Sequence, residues 1–173
     1  MIEIEKTYLV KYLPEGYEKF PSKEIIDSYI PGDVAHPNMR LRKSGSKLDL
    51  TKKQPVEGND SSHQLEQTIK LSEVEYAVLD KINSKVVSKI RYEYPYFGLT
   101  AEIDVFQGEL EGLVVVDFEF TTLEERDSFV IPDFCLADVT QDLFIAGGML
   151  CGKKYADIEE ELKKYNYEKI GSL

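Results

Sequence analysis

Short stretches in which charged and apolar residues alternate recur along most of the chain. The first ten residues read MIEIEKTYLV, with Glu3 and Glu5 two positions apart and Ile2 and Ile4 between and beside them. Side chains two positions apart share one face of a β-strand, so this stretch has a charged face and an apolar face. The same alternation returns in NMRLR, KLDLTKK, LEQTI, VSKIRYEY, AEIDVF and VVVDFEF. The pattern predicts a mainly β protein of antiparallel strands.

Helical patterns are few by comparison. Val74, Val78 and Ile82 are spaced four residues apart, so they would form one apolar face of a helix. The turn-rich stretch PVEGNDSSH joins two of the predicted strands. We predict helices over residues 72–83, 123–128 and 156–165. So few helices cannot cover a broad open sheet, and we therefore predict an α+β, mainly β fold: a closed eight-stranded antiparallel barrel with a few helices packed outside.

The charges on the predicted strands are mostly of one sign per strand. For any single strand, a charged face in water is the ordinary interpretation. Like charges repeated on strand after strand repel one another in water, whereas a bound ligand or ion between them would reverse that balance. The charged faces are therefore predicted to line the inside of the barrel. The acidic candidates are Glu3, Glu5, Glu66, Glu102, Asp104, Asp117 and Glu119, and the basic candidates are Arg40, Arg42, Lys53, Lys89 and Arg91.

Both sets of side chains have a clear chemical use. Arginine and lysine clusters match phosphate oxygens, and arginine does so in a fork geometry. Clustered carboxylates are hard oxygen ligands suited to Mg²⁺ or Mn²⁺. A lumen that holds both kinds is suited to a metal–polyphosphate complex and to phosphoryl transfer, which depends mainly on positioning and electrostatic stabilisation.

Composition narrows the range of partners. The 173 residues are predicted to form one domain, residues 1–173, with a net charge of −11 that argues against nucleic-acid binding. No apolar run approaches the length of a membrane span, and no signal peptide opens the sequence. Cys135 and Cys151 lack zinc-binding spacing. We expect a cytoplasmic protein without a membrane partner.

These residues resemble the CYTH superfamily, also called the triphosphate tunnel metalloenzymes. The family begins with a strand of the form E-x-E-x-K, and this chain begins Glu3-Ile4-Glu5-Lys6-Thr7. The blocks RLR, LTKK, KIRYEY, AEIDVFQGELEGLVVVDFEF and IPDFCLADVT follow in the order of the family's blocks. The resemblance covers nearly the whole chain and implies an eight-stranded barrel whose tunnel holds a divalent metal and a triphosphate.

The resemblance also implies residue roles. Glu5 and Glu119 are the strongest metal candidates, and the catalytic set would combine Glu3 and Glu5 with Lys53 and Arg91. The implied cofactor is Mg²⁺ or Mn²⁺. The metal set as a whole would be Glu3, Glu5, Glu66, Glu102, Asp104, Asp117 and Glu119, and the phosphate-binding set would be Arg40, Arg42, Lys53, Lys89 and Arg91.

The chain departs from the family pattern in several places, and among them Thr68 and Gln64 stand where a second glutamate and an arginine are common. Thr7 stands where the family has a lysine, and the neighbouring Lys6 has the parity of the outer face. After the DVT triplet, the family's Lys-Arg-Tyr stretch is replaced by QDLFIAGGMLCGKKY. Lys153 and Lys154 of this segment either replace the lost charge or face solvent, and AGGMLCG is predicted to be a flexible terminal loop or a plug.

The first functional hypothesis is metal-dependent hydrolysis of a small-molecule triphosphate, with inorganic triphosphate as the first candidate substrate. An adenylate cyclase of the same family and a thiamine triphosphatase are the enzymatic alternatives. A nucleotide- or polyphosphate-binding module with lost turnover is the alternative of another class, and Thr7 motivates it. The sequence leaves a homodimer open.

Overall fold

The computed structural model describes residues 1–34, 36–82 and 85–171. Within these residues the structure has nine strands: β1 (Ile2–Val10), β2 (Ser22–Ile30), β3 (Met39–Ser44), β4 (Lys47–Pro55), β5 (His63–Lys70), β6 (Val87–Tyr96), β7 (Leu99–Phe106), β8 (Val114–Phe120) and β9 (Cys135–Asp138). The α-helices are α1 (Glu73–Leu79), α2 (Leu123–Ser128), α3 (Gly147–Leu150) and α4 (Tyr155–Lys163). Short 3₁₀ turns lie between them.

The predicted eight-stranded closed barrel is confirmed. The strands follow the order β5-β4-β3-β2-β6-β7-β8-β1, and antiparallel pairing of β1 with β5 closes the circle. β1 pairs with three strands: β8 lies along one edge, whereas β5 pairs with the first residues and β9 with the last residues of the other edge. The ninth strand, β9, is therefore an addition outside the barrel that the sequence did not predict.

The predicted helices are found close to their expected positions. The helix predicted over residues 72–83 is α1 followed by a 3₁₀ turn, Asp80–Ile82, and its predicted last residue, Asn83, lies outside the described residues. Ser72 and Glu75 form a capping box at the start of α1. The helix predicted over 123–128 coincides with α2, and the one predicted over 156–165 is α4.

The apolar face of α1 does not pack on the barrel. Val74, Val78 and Ile82 are 75%, 60% and 62% exposed, whereas Tyr76 and Leu79 are half-buried. The helix therefore turns a different side toward the barrel than its sequence pattern indicated. Within the described ranges, no helix is long and apolar enough to cross a membrane.

The outer faces of four adjacent strands form the first hydrophobic core. Ile4 and Tyr8 of β1, Ile103 of β7 and Phe118 of β8 are buried there, and Phe129, which follows α2, packs against Phe118 with a ring-centroid distance of 4.7 Å. The residues that alternate with them along each strand point into the barrel. Burial of the apolar set thus fixes which face of each strand becomes the lumen, because a shift by one residue would exchange the two faces.

A second core closes one end of the barrel. The lumen-facing positions of four adjacent strands become apolar toward this end, where Leu9, Val87, Phe106 and Val115 are buried. Leu150 of α3 and residues of α4 belong to the same cluster. The carboxy-terminal segment is therefore part of the barrel's core and closes its lower end.

The close approach of α3 to β2 gives a test of this packing. A Cβ atom built on Gly147 would overlap the hydroxyl of Tyr29 and lie 2.9 Å from its Cζ atom. We expect Gly147→Ala to lower the free energy of unfolding by about 1–3 kcal/mol, because the half-buried ring of Tyr29 must move. Chemical denaturation of the variant measures this loss. Gly171→Ala is the control, since nothing lies within 4 Å of that position, and equal losses in both variants would contradict the packing.

Candidate active site

The charged positions of the predicted strands meet inside the barrel. Residues directly opposite one another on neighbouring strands share a face, and the register pairs Glu5 with Glu119, Glu102 with Asp117, and Arg91 with Asp104. On the other side of the barrel, Lys53 pairs with Glu66, and Arg40 and Arg42 alternate with the outward-facing Leu41. All twelve predicted site residues therefore lie on the lumen-facing sides of their strands.

A lysine lies among three carboxylates on one side of the tunnel. The Nζ atom of Lys53 forms ion pairs with Glu3, with Glu5 at 3.3 Å and with Glu66 at 3.7 Å. These carboxylates come from the first strand and the fifth strand, which the closure of the barrel brings together. Although burial alone would lower the pKa of Lys53, the charges of Glu5 and Glu3 raise it above its usual value.

The carboxylate of Glu5 shows how crowded this acidic wall is. Burial raises the pKa of Glu5 to about 7, and the charges of Asp117 and Glu3 act in the same direction while Lys53 opposes them. Glu119, at the more exposed rim, has a raised pKa for the same reasons, burial first and then its acidic neighbours. A cation placed near this wall would stabilise the ionised forms of both groups.

A second network lies across the tunnel around Arg91. Its guanidinium contacts both Asp104 oxygens at 2.6 Å, reaches Asp117 at 3.0 Å and also pairs with Glu102. Lys89 pairs with the fully buried Asp104 as well. Although burial alone would lower the pKa of Arg91, these acids hold it well above its usual value. Arg91 and Lys89 in turn keep the pKa of Asp104 low, against the effect of burial.

A third group contains residues that the sequence analysis missed. Arg42 forms a two-pronged ion pair with the buried Asp27, with both contacts at 2.7 Å. Tyr29 lies on the same face of β2, opposite Arg40. The alternation Ile25, Asp27, Tyr29 in SKEIIDSYI was the available signal, but this strand mixes apolar, acidic and aromatic residues and so lacks the single-sign pattern.

Arg40 differs from the other basic residues of the tunnel. Its Nε atom is buried and has no hydrogen-bond partner among the residues that the structure describes. A buried donor without a partner is costly, and it is a natural contact for an anionic ligand. The charge of Arg40 lowers the pKa of both Lys53 and Asp27. Arg40 therefore lies between Lys53 with its carboxylates and the Asp27–Arg42 pair.

The departures from the family motif have definite positions. The hydroxyl of Thr7 points into the tunnel and donates to Asp117 at 2.7 Å. Lys6 points to the outer side, 3.8 Å from Asp138, and does not replace the missing lysine. Lys154 is exposed and pairs with Glu109 at 3.3 Å, outside the tunnel, whereas Lys153 is half-buried.

The residues present fit a divalent metal by their chemistry. Glu3, Glu5 and Glu119 supply hard oxygen donors that Mg²⁺ and Mn²⁺ favour. Burial and the charges of Asp117 and Glu3 raise the pKa of Glu5, and a bound cation would stabilise its ionised form. Across residues 1–34, 36–82 and 85–171, no three acidic, histidine or cysteine side chains converge in a ready-made metal cage. The ammonium of Lys53 lies between the carboxylates instead.

Fold and site together define a class of protein: a closed antiparallel barrel with a two-signed charged tunnel. Two bacterial proteins named inorganic triphosphatase are similar in sequence. The protein of Nitrosomonas europaea is 29% identical over 143 residues, which is 82% of this chain and 91% of that protein. The protein of Acetivibrio thermocellus is 35% identical over 75 residues, covering 43% of this chain and 47% of its own length.

Solved structures agree with these relatives. A crystal structure of an inorganic triphosphatase has a TM-score of 0.63 and 24% identity, covering 87% of this chain and 95% of that chain. A putative adenylate cyclase from Bacillus halodurans shares the fold at 15% identity and a TM-score of 0.51, covering 99% of this chain and 93% of that chain. No protein-family model matches the chain. The chain is therefore similar in sequence to bacterial inorganic triphosphatases and shares the barrel fold of these solved structures, in line with its sequence resemblance to the CYTH superfamily.

The raised pKa of Glu5 predicts an unusual dependence of stability on pH. A carboxyl group whose pKa is higher in the folded state than in the unfolded state, here about 7 against 4.5, lowers stability as pH rises through that interval. In metal-free buffer, Glu5→Gln should therefore gain stability relative to wild type between pH 5 and pH 8, by roughly 1–3 kcal/mol. Denaturant unfolding at both pH values measures the difference.

The matched control is Glu160→Gln, at a fully exposed position on α4. Its stability should follow that of the wild type across the same interval. A difference between Glu5→Gln and wild type that is the same at pH 5 and pH 8 would contradict the raised pKa.

Proposed function

We propose that this protein hydrolyses a triphosphate in a divalent-metal-dependent reaction, with inorganic triphosphate as the first candidate substrate. The observation that carries the proposal is the opposed charge inside the tunnel. The Nε atom of Arg40 is buried without a hydrogen-bond partner among the described residues, and burial, together with the charges of Asp117 and Glu3, raises the pKa of Glu5 to about 7. A metal–triphosphate complex supplies both missing partners: oxygens for the arginine and a cation for the acids.

The tunnel residues would divide the work by charge. Arg40 and Lys53 are placed to bind phosphate oxygens, and Arg42, Lys89 and Arg91 add positive charge from within their ion pairs. Such preorganised cations stabilise the negative charge that develops on the transferred phosphoryl group. The acids Glu3, Glu5, Glu66, Glu102, Asp104, Asp117 and Glu119 form the proposed metal set, in which Glu3, Glu5 and Glu119 are the principal ligands. A bound metal would neutralise phosphate charge and lower the pKa of its water.

Several observations favour the hydrolase over its alternatives. Both curated relatives are named inorganic triphosphatase. The adenylate cyclase alternative is supported by a shared fold alone. Both cysteines are free, which accords with a reducing compartment such as the cytoplasm.

Phosphate release from a substrate panel tests the proposal. Inorganic triphosphate, ATP and thiamine triphosphate are each incubated with the protein in Mg²⁺, in Mn²⁺ and in EDTA, and cyclic AMP is measured in the ATP samples. We expect metal-dependent phosphate release, fastest from inorganic triphosphate. If calorimetry shows tight triphosphate binding while no substrate is hydrolysed over hours, the protein is a binding module and the proposed activity is wrong.

The role of Arg40 can be tested within the same assay. Arg40→Gln removes the charge but keeps a polar side chain, and we expect kcat/KM for triphosphate to fall by about 10- to 100-fold, about 1.4–2.8 kcal/mol. The matched control is Lys43→Gln on the same strand, because Lys43 faces outward and is exposed. Similar losses in both variants would show that the effect comes from net charge and not from the tunnel position of Arg40.

A further inference from the structure

The lower end of the tunnel is closed by a fitted segment of the chain. The sequence AGGMLCG, residues 146–152, contains α3 and runs beneath the barrel between the 3₁₀ turn Leu143–Ile145 and α4. Of the two interpretations that the sequence left open, a flexible loop or a plug, the packing supports the plug. Leu150 is fully buried among the apolar lumen residues Leu9, Phe106 and Val115.

Three glycines allow the plug to approach the barrel. A Cβ atom on Gly147 would overlap the hydroxyl of Tyr29, and one on Gly148 would overlap the carbonyl oxygen of Pro37. A Cβ atom on Gly152 would lie 2.8 Å from the Lys85 side chain. The thiol of Cys151 also donates to the carbonyl oxygen of Lys85 at 3.2 Å. The plug therefore touches the end of β2 and the segments that precede β3 and β6.

Tyr29 lies between this plug and the phosphate-binding cations. It faces the lumen opposite Arg40, and its hydroxyl lies against Gly147. Burial raises the pKa of Tyr29, and the charges of Arg40, Arg42 and Lys53 act on it in the opposite direction. The aromatic ring is therefore the last side chain on this wall of the tunnel before the apolar floor.

We propose that the tunnel is a one-ended pocket whose depth is set by Tyr29, and that it admits a linear polyphosphate only by its end. This inference rests on the proposed function and adds the selection of the bond that is cut. A chain entering from the open mouth places its terminal phosphate beside Arg40 and Lys53, next to the acidic wall at Glu5. Neither a nucleoside nor a second length of chain can pass beyond the ring of Tyr29.

The position of the terminal phosphate determines the products. Water forms a new P–O bond at the terminal phosphorus, the bond from that phosphorus to the bridging oxygen breaks, and the bridging oxygen leaves with its electron pair on the rest of the chain. One water proton is released. Linear tetraphosphate therefore yields phosphate and triphosphate, whereas a tunnel open at both ends would allow the chain to slide through and be cut in the middle into two pyrophosphates.

The test is the first product formed from inorganic tetraphosphate, separated by ion chromatography at early times. Wild type should give phosphate and triphosphate in equal amounts with little pyrophosphate. Tyr29→Ala deepens the pocket by one ring, so the pyrophosphate share of the first products should rise several-fold. Tyr29→Phe keeps the ring and should retain the wild-type product ratio, and Tyr12→Ala, an exposed tyrosine on the outside, controls for the loss of an aromatic residue.

The outcomes separate this inference from the proposed function. Two pyrophosphates from wild type would overturn the one-ended pocket while leaving the hydrolase intact. An unchanged product ratio in Tyr29→Ala, with a cooperative unfolding transition that shows it is folded, would overturn the role of Tyr29. Absence of phosphate release from triphosphate itself would overturn the proposed function, and this inference with it.

Discussion

The interior of this barrel depends on the ion pairs of Lys53 with the carboxylates of Glu3, Glu5 and Glu66. Buried like charges repel, and one shared lysine offsets only part of that repulsion. Burial first, and then the charges of Asp117 and Glu3, raise the pKa of Glu5 to about 7, so the folded protein holds the ionised form of this group at a free-energy cost. A site that retains such a cost without a ligand is prepared for a cation, since the binding of that cation removes it.

The sequence was enough to predict which face of each strand points into the barrel, because this choice depends on neighbouring residues of the same strand. Alternation has a period of two, so each apolar residue fixes the direction of its charged neighbours once one face is buried. The candidate site followed from this alone, because closure of the sheet turns every charged face toward one lumen. Asp27 and Tyr29 were missed since their strand mixes residue types. Which acid lies opposite which base depends on the register between paired strands, and alternation within one strand carries no information on that register.

The pairing of β9 and the orientation of α1 could not be predicted from the sequence, for a different reason. The pairing of β9 with β1 uses an edge that β5 leaves free, and this depends on the length over which β5 stays with β1. The apolar stripe of α1 predicted burial, yet Tyr76 and Leu79 face the barrel instead. A short helix tethered at both ends takes the orientation that its connections permit, so its own pattern is a weaker guide than that of a strand held on both sides.

The threonine at position 7 and the plug are connected features of the same tunnel end. Thr7 lies between Glu5 and Leu9 on β1, where the lumen changes from charged to apolar, and its hydroxyl is satisfied by Asp117. A lysine ammonium at this depth would stand beside buried apolar side chains, where desolvation disfavours its charge. The chain instead closes this end with apolar residues and a glycine-rich segment. The loss of the family lysine is therefore compatible with turnover, provided that the substrate is held from the open side by Arg40 and Lys53.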